Sequence, residues 1–206
     1  MPRLALVLLV IYFALAFGLR SWIHWRRTGT SGWKGISGRA GSAEWMGGVL
    51  FVVALAASVG APLAELAGVV RPWSALGGSL ASTVGLVLCA GGIASTLWAQ
   101  LAMGDSWRVG VDDRERTVLV ANGPFRLVRN PIYTSMLLGM GGVALLTPNV
   151  VAAVAMAALL GALELQVRRV EEPHLLRVHG ESYRGYAART GRFLPGIGRL
   201  GAREPP

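Results

Sequence analysis

The chain has 206 residues, 53% of them hydrophobic, with a formal charge of +9 and a positive mean hydropathy. These values exclude an ordinary soluble core and place one domain, residues 1–206, in the membrane class. The charge does not indicate nucleic acid, because the arginines lie between apolar runs without the interleaved aromatics that stack bases. Cys89 is the single cysteine, which excludes an intrachain disulfide, and one Cys with three scattered His assembles no metal set.

Leu4 to Leu19 is apolar and continues through Trp22 and Trp25, long enough at about 1.5 Å per residue to cross roughly 30 Å of hydrocarbon. A cleavable signal peptide competes for this run, since Arg3 precedes it and Ala14-Leu15-Ala16 imitates a cleavage site. Arg20, Arg26, Arg27, Lys34 and Arg39 follow directly and resist translocation, which favours a retained helix with its N-terminus outside. Residues 26 to 41 are basic and rich in Gly, Ser and Thr, and predict an exposed loop near the headgroups, with Trp33 in it.

Trp45 to Leu63 predicts a second span and Ala75 to Met103 a third, joined by a short outer connection. Gly77, Ala81, Gly85 and Cys89 recur every four residues and form a small-residue face for close helix packing. The polar interval from Gly104 to Asn130 holds Asp112 and Asp113, whose adjacent side chains point apart with no third ligand at a motif spacing, so no metal site is expected. Ile132 to Leu146 and Val150 to Leu163 flank Thr147-Pro148-Asn149 and predict a helical hairpin, with Pro148 starting the returning arm. Each arm is near the lower length limit for spanning. The last helix leaves the membrane at Glu164 and runs through Arg168 and Glu172 to about Gly180. His174 and His179 are expected on its solvated surface.

The fold class is therefore all-α: a polytopic membrane protein of about five transmembrane helices, with the hairpin and a cytoplasmic C-terminal helix. Residues 1–103 hold three N-terminal spans. Residues 104–195 hold a loop, the hairpin and the C-terminal segment. Of 20 Lys and Arg residues, Arg3 and Arg71 alone fall on the outer side, which orients the N-terminus out and the C-terminus in.

Two polar islands border these runs. In the first, Gly123 to Tyr133, Pro131 biases Asn130 away from helix while suiting a first helical position, so the island is a turn feeding a membrane helix. In the second, Arg168 and Glu172 are four apart and share a helix face, which Glu164 extends one turn further. Gly139-Met140-Gly141-Gly142 follows no strand and lies in an apolar run, so it reads as packing rather than as a nucleotide-binding turn.

The ordered series Leu119-Val120, Gly123-Pro124-Phe125-Arg126, Arg129-Asn130-Pro131-Ile132-Tyr133, Glu171-Glu172, Leu175, Gly180, Tyr183, Tyr186 and Arg192-Phe193-Leu194-Pro195 resembles the isoprenylcysteine carboxyl methyltransferase family. These are integral membrane enzymes dependent on S-adenosyl-L-methionine and related to phospholipid methyltransferases. The resemblance covers roughly residues 95 to 195, and Asn130 stands where the eukaryotic members have His. It implies a cofactor lodged at the cytoplasmic mouth and lined by Thr117, Val118, Leu119, Val120, Phe125, Asn130, Pro131, Ile132 and Tyr133, with Glu172 holding the amino group. Arg168 matches the position that orients the acceptor's carboxylate. The implied partners are a lipophilic acceptor entering from the bilayer and membrane lipids, with no nucleic acid, in a bacterial inner membrane.

Each residue also has a plainer use. Tyr133 and Phe125 can stack on adenine or the sulfonium, or anchor at the interface. Glu172 can hold an ammonium or bridge to Arg168. Arg129 can hold a phosphate or carboxylate, or touch headgroups. Asn130 cannot titrate, so an acid or base role does not carry over to it. Alternatives of function are a phospholipid or amine N-methyltransferase, a sterol-reductase-like enzyme using a nicotinamide cofactor, and a non-enzymatic scaffold.

Overall fold

The computed structural model describes residues 1–33, 35–36, 38–107 and 118–201. The chain forms helices α1 (Pro2–Thr28), α2 (Ala43–Leu66), α3 (Ser79–Ala102), α4 (Pro131–Leu146), α5 (Val150–Gln166) and α6 (Glu172–Arg189). Two helices contain a wider π-helical turn: Ala14–Leu19 within α1, and Val167–Glu171 between α5 and α6. Among the described residues, four helices are long and apolar enough to cross a membrane, the last running on from α5 through α6. Helix α4 is shorter, at 16 residues, or about 24 Å. The protein is thus an all-helical, multi-pass membrane protein, and large apolar side chains such as Leu80, Val87 and Val10 face outward where lipid tails would cover them.

Local chemistry explains the element ends. Ser42 accepts the Trp45 amide and caps α2. Gly29, at φ 74°, closes α1 in the left-handed conformation. Pro131 is at the start of α4 as expected, with Asn130 held off the helix at φ −123°, ψ 59°. The hairpin turn differs from expectation: Asn149, not Pro148, begins the return. Its Oδ1 accepts the Ala152 amide at 3.1 Å while its amide group reaches the Ala61 carbonyl and Glu65, so the cap also ties α5 to α2.

Helices α3 and α4 lie along each other, as do α2 and α5, with α1 touching both α2 and α4. The α3–α4 contact explains both glycine patterns. A Cβ on Gly92 would stand 2.4 Å from the Gly139 amide nitrogen, and one on Gly142 would stand 2.5 Å from the Cys89 nitrogen and the Gly85 carbonyl. The small-residue face is real, though its working members are Gly85, Cys89 and Gly92, because Gly77 lies outside α3. The Gly139–Gly142 stretch is packing surface.

The C-terminal helix departs from expectation. It does not stop near Gly180. That residue takes φ 52°, ψ −125°, a break that glycine tolerates, and helix resumes through Tyr183 and Tyr186 to Arg189. His174 is buried rather than solvated, at 4% exposure. Beyond α6, Thr190–Leu200 folds back as a strap. Its Arg192 amide donates to Ile197, and Leu200 donates to Ala187.

Gly92→Ala should lower stability by about 1 to 3 kcal/mol, since backbone stands where the methyl must go. Gly91→Ala would meet Leu138 Cδ2 at 3.9 Å and nothing nearer. It should be neutral or slightly stabilising. Thermal unfolding of both variants in detergent checks the contrast.

Candidate functional site

The two polar islands meet at one end of the bundle through side chains far apart in sequence. Glu172 is 7% exposed. Its Oε1 accepts Arg129 Nη2 at 2.6 Å and Arg192 Nε at 2.9 Å, and its Oε2 accepts Arg192 Nη2 at 2.9 Å. Arg129 also donates Nη1 to the carbonyls of Ala187 (3.0 Å) and Thr190, and Nη2 to the Gly198 carbonyl at 2.9 Å. One carboxylate therefore binds two buried guanidiniums, one of which also wraps itself in backbone oxygens. The hydrogen bonds to Glu172 raise the Arg192 pKa above its ordinary value.

The backbone repeats the connection. Arg129 and Asn130 donate their amides to the Gly191 and Arg192 carbonyls at 2.8 and 3.1 Å, and Thr134 Oγ1 donates to the Phe193 carbonyl at 2.8 Å. Gly191 must lack a side chain here, since a Cβ would stand 2.0 Å from the Leu194 carbonyl. Tyr186 donates its hydroxyl to the Phe125 carbonyl at 2.6 Å, and Leu119 packs on Tyr183 and Tyr186. The strap, α6 and the turn into α4 are thus one folded unit.

The π-helical turn Val167–Glu171 corrects the expected stripe. A π turn takes more residues per revolution than an α turn, so spacing of four no longer keeps one face. Arg168 pairs with Glu164 on the exposed side, while Glu172 rotates inward to the arginines, and no Arg168–Glu172 bridge forms. The same rotation brings Glu171 beside α4, where its Oε1 accepts the Tyr133 hydroxyl. Neither adjacent glutamate duplicates the other.

The expected lining residues divide accordingly. Thr117 lies outside the described residues, as do Asp112 and Asp113. Val118 is 80% exposed, Leu119 and Val120 are half-buried, and Phe125 and Pro131 are buried. Ile132 and Tyr133 are half-buried in the first turn of α4. Asn130 spends its amide group on the Arg192 carbonyl at 3.2 Å. Both terminal nitrogens of Arg129 are taken by internal partners, and its buried Nε has none among the described residues. Sequence reasoning gave no site role to Glu171 or Arg192. Both stood in the motif series, but their pairing depends on the π turn and on the strap's return.

Whether these residues suit a sulfonium nucleotide is testable on the geometry. Glu172 does not suit an ammonium, because three arginine N–H groups already occupy its oxygens and the cluster carries net positive charge. The Tyr133–Glu171 pair sets a carboxylate beside an aromatic ring at the start of α4, the two kinds of group with which an ammonium or sulfonium pairs. Among the described residues, no three His, Cys, Asp or Glu side chains come together as a metal set.

Comparison with known proteins agrees with this architecture. Residues 80–182 match the phospholipid methyltransferase family, and the chain belongs to that family. It is 31% identical over 85 residues to the nickel-cobalt-cadmium resistance protein NccN of Alcaligenes xylosoxydans xylosoxydans, covering 41% of this chain and 39% of that protein. The fold matches the eukaryotic intramembrane Ras methyltransferase, isoprenylcysteine carboxyl methyltransferase, with a TM-score of 0.62 at 19% identity over 93% of this chain and 64% of that one. The chain thus spans less than two thirds of either protein. Family and fold together describe a multi-pass membrane protein of the phospholipid methyltransferase family.

Glu172→Gln should cost roughly 3 to 5 kcal/mol of stability, because it removes the charge between two buried cations. Arg168→Gln, which breaks an exposed pair, should cost at most a few tenths of a kcal/mol. Thermal unfolding of the two variants side by side checks the difference.

Proposed function

We propose that this chain transfers methyl groups from S-adenosyl-L-methionine to a lipophilic acceptor at the mouth formed by Val118–Tyr133, Glu171 and the strap. The observation that carries this reading is the meeting of the two motifs: the turn into α4 reaches the Glu171–Glu172 pair through contacts spanning 38 and 43 residues of sequence.

When bound, S-adenosylmethionine supplies an electrophilic methyl group on a sulfonium. The side chains hold and orient. Tyr133 offers a ring face to positive charge, with an expected gain of about 0.5 to 2 kcal/mol. Glu171 takes over the ammonium-binding role that the resemblance implied for Glu172, and Glu172 shapes the mouth through its arginines. Val118, Leu119, Val120, Phe125, Pro131 and Ile132 supply apolar wall, and Asn130 completes the lining. Arg168 can exchange its exposed Glu164 partner for the carboxylate of an acceptor. A carboxylate or thiolate acceptor is already nucleophilic, so alignment in a water-poor setting supplies most of the rate.

The family match favours a second acceptor class, an amine headgroup. Such an acceptor must lose a proton before it can attack. The bilayer is taken to be a bacterial inner membrane with the N-terminus outside. In a Cys89→Ser background, a cysteine at Ser31 should label from inside and one at Val69 from outside, and the reverse pattern would invert the topology.

Isothermal titration calorimetry on detergent-purified protein tests the main reading. S-adenosylmethionine and its demethylated product should both bind, and Glu171→Gln should weaken binding by about 1 to 3 kcal/mol, the range for a charge-assisted bond. Binding of a nicotinamide dinucleotide in their place would substitute a reductase for the methyltransferase.

A further inference from the structure

A second buried polar cluster, which methyl transfer does not use, lies where α1 and α3 meet. Arg20 is 2% exposed. Its Nε donates to the Gln100 carbonyl at 3.4 Å and its Nη2 to the Gly104 carbonyl at 2.5 Å, while the guanidinium carbon stands 4.6 Å from the centroid of the buried Trp107 ring. The remaining terminal nitrogen, Nη1, is buried with no hydrogen-bond partner among the described residues. Gln100, 3% exposed, donates Nε2 to the Ala16 carbonyl at 2.8 Å inside the π-helical turn of α1, and its Oε1 is likewise buried without a partner.

The cluster has good contacts but, among the described residues, no ion pair: Asp105 acts on Arg20 only at a distance and against the like charge of Arg27. Asp105 turns toward Arg27 at 3.9 Å with its side chain 70% exposed, and among the described residues no carboxylate pairs with Arg20. Carbonyls and an aromatic face supply partial negative charge only. This contrasts with Arg129 and Arg192, which share Glu172. A buried guanidinium lacking a counter-ion beside hydrocarbon is costly, and an ionisable group in such a place marks a ligand by default. π turns also recur at functional sites, and this one aims a carbonyl at Gln100. The cluster is at the same end of the bundle as the methyl-transfer mouth, since a Cβ on Gly123 would meet Ala102 at 3.7 Å, two residues beyond Gln100.

We propose that Arg20, supported by Gln100 and Trp107, binds the anionic phosphate headgroup of a bilayer amphiphile. The unused Arg20 N–H meets the anionic oxygen, and the Gln100 oxygen accepts a hydroxyl or ammonium hydrogen where the headgroup has one. This site is independent of what the methyl acceptor is.

The test uses full-length protein in dodecyl maltoside micelles, which carry no phosphate, titrated by calorimetry with dodecyl phosphate and, separately, with inorganic phosphate. Dodecyl phosphate should bind saturably. Arg20→Gln should weaken it by about tenfold or more, Arg20→Lys by less because charge remains without the planar fork, and the exposed-site control Arg26→Gln not at all. Equal affinity in Arg20→Gln, or no saturable binding to the wild type, would overturn the proposal and leave the cluster as a brace around an internal water. Equal binding of inorganic phosphate would overturn the headgroup assignment in favour of a free-anion site. Should Arg20→Gln fail to fold, Arg20→Lys decides, and affinity equal to wild type refutes the site. S-adenosylmethionine titrated into the same samples should bind Arg20→Gln as it binds wild type. Its failure on wild type would count against the methyltransferase reading and leave this one standing.

Discussion

Glu172 between Arg129 and Arg192 is the interaction on which the candidate site depends. A carboxylate buried at the edge of hydrocarbon is unfavourable alone, and so is either guanidinium. Together they satisfy most of one another's hydrogen-bonding capacity, with the carbonyls of Ala187, Thr190 and Gly198 taking the surplus N–H groups of Arg129. The three charges come from three places: the turn into α4, the start of α6 and the strap. None can be buried until the others arrive. Satisfying Glu172 is therefore the same event as closing the strap over the turn, and the mouth exists only in the closed arrangement.

The rest of the bundle serves that junction. Close approach of α3 and α4 at Gly85, Cys89, Gly92, Gly139 and Gly142 fixes where α4 begins, and hence where Asn130 and Tyr133 stand. The Asn149 cap and its contacts with α2 fix where α5 begins. From there α5 runs to the π turn, whose extra residue per revolution directs Glu172 toward the arginines and Glu171 toward Tyr133. One local irregularity thereby gives two adjacent, chemically identical residues separate tasks.

Much of the fold was legible in the sequence because hydropathy over twenty-odd residues is a sum that few single residues can overturn. The spans, the hairpin, Pro131 at a helix start and the small-residue face of α3 all follow from such local signals. The misreadings share a cause. Arg168 and Glu172 were placed on one face by assuming 3.6 residues per turn, and nothing in Val167-Arg168-Arg169-Val170-Glu171 announces a π turn. Gly180 looked like a helix end because glycine often is one, whereas here it bends a helix whose far half is held by Tyr183 and Tyr186. His174 reads as solvated because it stands in a polar stretch, and no local signal marks it as buried. The Arg129–Glu172–Arg192 cluster spans more than sixty residues of sequence, and spacing rules do not reach that far.

Amide hydrogen exchange by mass spectrometry, with and without S-adenosylmethionine, tests the central claim most directly, that turn, Glu171–Glu172 and strap form one cofactor-binding unit. The account predicts that peptides covering 128–134, 168–176 and 190–200 gain protection together, at the same cofactor concentration, while peptides from α1 and α2 do not change. Protection confined to one of these segments, or appearing elsewhere while all three stay unchanged, would contradict it.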